Sequence, residues 1–143
     1  GITVPLPLVM SSPERGHLLR SILEAAAYAV RANLDQLEQV SGAGITSLAI
    51  GGGMSRSTTF TRIVADVAGR PLAVASAPET SALGAAVLAF VATGRHASIA
   101  EALAAITSGR CTLRPAAAAS AAYDDYYARW CTMSDAFERM SEL

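Results

Sequence analysis

Apolar residues fall along this chain at two different spacings. Leu19, Ile22, Leu23, Ala26, Val30, Leu34 and Leu37 recur every three or four positions, the period of one helix face. Upstream, Ser12 suits a cap, Pro13 a first helical position and Glu14 the positive end of the helix dipole. Ser41-Gly42-Ala43-Gly44 closes the segment. Arg20 and Glu24, four apart, are spaced to pair on this helix. Ile45 to Ile50 is short and apolar enough to read as a buried strand, and it enters Gly51-Gly52-Gly53 directly. Phe60, Ile63, Val64 and Val67 mark a second amphipathic helix that Gly69 closes. Pro71 to Ala77 reads as a second strand, and Pro78-Glu79-Thr80 opens a third helix through Ala92 with Gly94 as its stop. Ala82, Ala85, Ala86 and Ala89 beside Gly84 give that helix a surface small enough for another backbone to approach. Ser98 and Glu101 have capping-box spacing and start a fourth helix.

Pro115 introduces a last helix. On it Tyr123, Trp130 and Phe137 are seven apart, and so are Tyr126, Met133 and Met140. Such a stripe predicts packing in a core or an interface rather than a ligand site. The order helix, strand, helix, strand, helix, helix, helix is that of an α/β domain with a short sheet and several packed helices. Two or three strands are few for so many helices, so a partner or the rest of a larger fold is expected to complete it.

Composition narrows the chemistry. The chain has 143 residues, one domain's worth, with 52% hydrophobic and 16% charged positions, which excludes a disordered polymer. The most apolar stretch, Leu83 to Ala92, is far shorter than the roughly 18 residues of a spanning helix. The first residues carry no basic leader, so nothing speaks for a membrane or for export, and a cytoplasmic protein is expected. All eleven basic residues are arginine. Without lysine there is neither a P-loop nor a Schiff base. A net charge of −1 with scattered arginines argues against nucleic acid as a partner. Cys111 and Cys131 read as free thiols of a reducing compartment, and His17 and His96 lack neighbours at metal-ligand spacing. No metal site is expected.

The turn Ile50-Gly51-Gly52-Gly53-Met54-Ser55-Arg56-Ser57 joins a strand to a helix. Glycines there permit positive φ and expose N–H groups that suit a phosphate, though a bare strand-to-helix turn needs glycine too. Arg56 stands where a Rossmann fingerprint needs its third glycine, and a Walker loop needs the missing lysine. A nucleotide at this turn therefore requires a fold that grips phosphate without lysine.

Four stretches resemble such a fold. His17-Leu18-Leu19-Arg20-Ser21-Ile22-Leu23-Glu24 resembles the R-A-x-L-E-G helix of the FGGY carbohydrate kinases, and Ile50 to Ser57 their Gly-Gly-Gly-Ala-x-Ser turn. Ala65-Asp66-Val67-Ala68-Gly69-Arg70-Pro71 resembles A-D-V-L-G-x-P, and Glu79-Thr80-Ser81-Ala82-Leu83-Gly84-Ala85-Ala86 resembles E-x-S-A-L-G-A-A. The tail from Pro115 through Tyr123 and Tyr127 resembles the family's closing P-x-Y-x-x-x-Y. The resemblance spans nearly the whole chain; Ala25 and Met54 depart from the pattern without removing a chemical group.

It implies part of an actin-like ATPase domain of ribonuclease H-like type. Residues 1–143 would be the C-terminal, nucleotide-side part of the second kinase domain, with the N-terminal sugar-binding domain absent. The cofactors implied are ATP and Mg, and the acceptor is a sugar or polyol. Gly52 and Gly53 would bring their backbone near the nucleotide, and Ser57 would lie near the adenine. Gly84 and Ala85 would pack their helix against the turn, while Asp66 would hold its own helix to a neighbouring loop. The family's catalytic aspartate lies upstream, so no catalytic residue is expected here and the chain alone should be inactive. Self-association is expected of apolar faces left bare. The alternative is a free-standing, non-catalytic interaction module derived from such a kinase, using the aromatic stripe as its partner surface.

Overall fold

The computed structural model describes residues 14–76, 79–106 and 110–141. These residues form five helices and a three-stranded sheet: α1 (Arg15–Ser41), β1 (Leu48–Ile50), α2 (Thr58–Ala68), β2 (Leu72–Ala75), α3 (Thr80–Ala92), α4 (Ile99–Ile106), β3 (Arg110–Leu113) and α5 (Ala117–Ser141). The sheet order is β1-β2-β3, with β1 parallel to β2 and β3 antiparallel to it. Leu48 pairs with Leu72 and Ile50 with Val74, and Leu72 in turn faces Leu113.

The helices form where the periodicity places them, and α1 and α2 end at Gly42 and Gly69 in left-handed conformation. The expected Ser12-Pro13 start, and Ala77 and Pro78 at the next junction, lie outside the described residues. The strands are shorter than expected. Ile45 is not paired in the sheet: its N–H is taken at 2.6 Å by Glu38 Oε1, whose other oxygen accepts from Arg70 Nη2 at 2.8 Å. These two bonds, the backbone one first, hold the Glu38 carboxyl below its usual range. β3 was not foreseen. Arg110-Cys111-Thr112-Leu113 has too few apolar positions to show strand periodicity, and pairing with β2 is what makes it a strand.

α2 is the centre of the core. Phe60, Ile63, Val64, Ala65 and Val67 are buried on it, against Ala27 and Tyr28 of α1, Leu72 of β2 and Tyr123 of α5. The apolar face expected on α1 divides in two. Leu23 and Ala26 turn inward, whereas Leu19, Ile22 and Leu37 are 57%, 64% and 57% exposed. The aromatic stripe of α5 divides likewise, with Tyr123, Tyr127 and Trp130 on the core and Met133, Phe137 and Met140 exposed.

α4 opens as its sequence requires, with Ser98 Oγ accepting Glu101 N–H at 3.2 Å and the Glu101 carboxylate accepting Ala97 N–H at 2.9 Å. The first of these bonds belongs to the expected box; the second lands one residue earlier than Ser98. Both cysteines are free thiols. Among the described residues no helix is long and apolar enough to cross a membrane.

Candidate functional site

β1 and β2 are parallel, so their carboxyl ends open on the same side, where open α/β sheets place their ligands. The glycine turn leaves β1 at this edge. Gly52 has φ 89 and ψ −173, a conformation a side chain rarely adopts, and a 3-10 turn follows over Gly53–Arg56. Ser55 is buried and closes the turn on Gly52 O, donating from Oγ at 2.6 Å and from its N–H at 3.1 Å. Ser57 caps α2, its Oγ accepting Phe60 N–H at 3.2 Å. The Ser57 hydroxyl hydrogen is still able to donate outward, because a hydroxyl is donor and acceptor at once.

The three glycines differ in what requires them. A Cβ on Gly51 would stand 2.5 Å from Thr80 Cγ2 and 3.5 Å from Ala75 Cβ. Gly52 is required by its φ, and among the described residues a Cβ on either Gly52 or Gly53 would meet nothing within 4 Å. The contact across the turn is thus made by Thr80, at the first position of α3. Gly84 and Ala85, expected to pack there, are exposed one helical turn further along, and a Cβ on Gly84 meets nothing within 4 Å.

Two shallow clefts flank the turn. One, of about 200 Å³, is lined by Ile50, Gly51, Ala73 and Thr80 among others, and the second, of about 320 Å³, by Ser55, Arg56, Ala75 and Ser76. Gly52, Gly53 and Ser57 all belong to the one turn at this edge of the sheet, as their closeness in the chain requires. Among the described residues no group of three or more His, Cys, Asp or Glu could hold a metal ion.

Behind the turn, α2 is gripped at its far end. Asp66, 6% exposed, accepts Ala116 N–H at 2.8 Å, the tie to a neighbouring loop expected of it. Arg62, midway along α2, donates to Arg114 O at 2.7 Å, and its guanidinium lies 4.0 Å from the Asp66 carboxylate one helical turn on.

α1 and α5 meet through tyrosines. Arg20 Nε lies 2.8 Å from Glu24 Oε1, the expected pair, and the Tyr123 hydroxyl joins it by accepting from Arg20 and donating to Glu24, both at 2.8 Å. Tyr127 donates to Asp35 at 2.7 Å, under the Arg31 guanidinium 4.3 Å from its ring. Burial, then the neighbouring carboxylate, pushes the Tyr28 hydroxyl up to about 12. Tyr123 and Tyr127 are raised for the same leading reason.

Residues 6–93 match the model of the FGGY family of carbohydrate kinases, C-terminal domain. A glycerol kinase of Chloroflexus aggregans is 44% identical over 80 residues, which is 56% of this chain and 16% of that one. The xylulose kinase of Rhodospirillum rubrum superposes with TM-score 0.76 at 29% identity, over 95% of this chain and 27% of its own. Plasmodium falciparum glycerol kinase, solved with ADP, superposes with TM-score 0.62 at 23% identity, over 92% of this chain and 25% of its own, and shows the shared fold alone. The chain therefore spans only about a sixth of the curated relative and about a quarter of the solved ones. The sheet with its packed helices is part of an actin-like α/β fold, and the chain belongs to the FGGY family of carbohydrate kinases.

Proposed function

We propose that residues 1–143 are the nucleotide-side part of the second domain of an ATP-dependent sugar or polyol kinase, a cytoplasmic enzyme whose sugar-binding part lies elsewhere in the polypeptide. The observation that carries this reading is Gly53. Gly51 is required by Thr80 and Gly52 by its φ, but among the described residues no neighbour within 4 Å and no positive φ requires glycine at position 53. A ligand passing close to the backbone supplies the missing reason. In this reading Gly52 and Gly53 face the nucleotide and the Ser57 hydroxyl donates towards its base. Mg, which assists phosphoryl transfer by neutralising charge on the phosphates, is held by groups outside this chain. The chain contributes no catalytic base and is inactive alone.

The test is nucleotide kinetics of the longer protein carrying this chain. Gly53→Ala should raise KM for ATP about tenfold, the equivalent of ~1.4 kcal/mol, with KM for the acceptor unchanged. Equal kinetics for the two proteins would remove the nucleotide from this turn. A second reading, a free-standing interaction module, is favoured by the exposed Met133, Phe137 and Met140. The intact mass of the native protein separates the two: a value near 14.7 kDa favours the module, and one several times larger the kinase.

A further inference from the structure

We infer that Arg62 and Asp66 form a clamp through which α5 fixes the pose of the glycine turn, so that Asp66 is a positioning residue for the nucleotide side; this rests on the reading of that turn as a nucleotide contact. α5 begins at Ala117, and the residues before it, Arg114-Pro115-Ala116, include no side chain of the kind that caps a helix. The cap comes from another helix. Asp66 Oδ1 accepts Ala116 N–H at 2.8 Å, placing a carboxylate at the positive end of a 25-residue helix. On the other side of Pro115, which offers no N–H, Arg62 Nη1 donates to Arg114 O at 2.7 Å. The two side chains, with Nη1 and Oδ1 4.0 Å apart, thus hold the junction from one face of α2.

The same end of α2 is held elsewhere. Arg31 of α1 donates to Val67 O at 3.0 Å, and Gly69 is so close to α5 that a Cβ there would stand 3.1 Å from Ser120 Oγ. At the opposite end α2 carries the turn, tied through the Ser57 cap and through Thr61 Oγ1 to Ser57 O at 3.2 Å. Between the ends α2 is buried at seven of its eleven residues, and close-packed interiors transmit displacement rather than absorb it. α2 is about 16 Å long, so a rotation of about 4° about the clamped end moves the turn by about 1 Å. A misplacement of that size can cost on the order of a hundredfold in rate. α5 lies beyond residues 6–93, so a segment outside the family match governs a site inside it.

Amide hydrogen exchange on the full chain tests this without reference to any nucleotide. Asp66→Ala should speed exchange at Ala116 and also, about tenfold, at the turn amides of Ser55, Ser57 and Phe60. Asp66→Asn, which keeps an acceptor oxygen, should restore the turn. Arg62→Leu should act in the same direction more weakly, and it decides the matter alone if Asp66→Ala does not fold. Faster exchange confined to the start of α5, with the turn unchanged, would overturn the inference. In the longer kinase Asp66→Ala should raise KM for ATP and leave KM for the acceptor. A turn that loosens without any change in KM for ATP upholds the clamp and removes the nucleotide reading.

Discussion

A methyl group added at Gly51 would press on Thr80, one at Gly52 would need a φ that side chains avoid, and one at Gly53 would touch none of the described residues. Three adjacent substitutions should therefore behave differently. Gly51→Ala should cost about 1–3 kcal/mol through forced displacement of the start of α3. Gly52→Ala should cost about 1–2 kcal/mol through its backbone conformation. Gly53→Ala should change stability by less than about 0.5 kcal/mol while weakening ATP binding by the longer protein. Denaturant titrations of the three variants check the order; a loss at Gly53 as large as at Gly52 would give it a structural role. The tripeptide could be seen in the sequence as a turn, but its three roles could not. They depend on Thr80, 29 residues after Gly51, and on a backbone angle.

At the scale of elements, α1 and α5 are joined by hydroxyl groups of tyrosine set between carboxylates and guanidinium groups. Tyr123→Phe leaves the ring packing but removes the oxygen that holds both Arg20 and Glu24, and should cost about 1–2 kcal/mol in a denaturant titration. The pH dependence follows from the raised tyrosines. Their neutral forms are favoured in the folded state, so their contribution is complete below the ordinary tyrosine pKa of about 10 and is lost as pH rises towards the folded value of about 12 at Tyr28. Stability should fall across that window, with the tyrosinate absorbance of these residues appearing together with unfolding. Full ionisation near pH 10 in a chain that stays folded would contradict this. Helix existence, the Gly42 and Gly69 ends, the Ser98 cap and the Arg20–Glu24 pair were legible because each depends on residues close together in the chain. β3 was not, since its pairing with β2 joins residues far apart in sequence, Arg110 with Ala75 and Leu113 with Leu72.

For the whole molecule, the exposed apolar surface is the leading fact. Leu19, Ile22, Leu37 and Val40 line the outer side of α1, and α3, apolar all round, buries only Val87. A helix of that composition belongs in an interior. With 27% of the length of the xylulose kinase it superposes on, the chain is expected to associate with itself when produced alone. Sedimentation should show a concentration-dependent mass, reduced by Ile22→Glu together with Leu37→Glu; a monomer at all concentrations would refute it. ATP should bind the isolated chain more weakly than micromolar, because a micromolar complex needs about 8 kcal/mol and one helix N-terminus contributes on the order of 1 kcal/mol. A micromolar titration isotherm would contradict the one-walled site.

The sequence by itself determined the class of fold, the position of each helix, the glycine turn and the family, because these follow from short-range periodicity and from motifs read in order. Only the tertiary structure decided which side of α1 is buried, that Arg110–Leu113 is a strand, and that Thr80 rather than Gly84 closes on the turn. It also decided that Asp66 caps a helix 50 residues away. Those facts depend on which distant surfaces meet, and a residue's own neighbours in the chain carry no record of that.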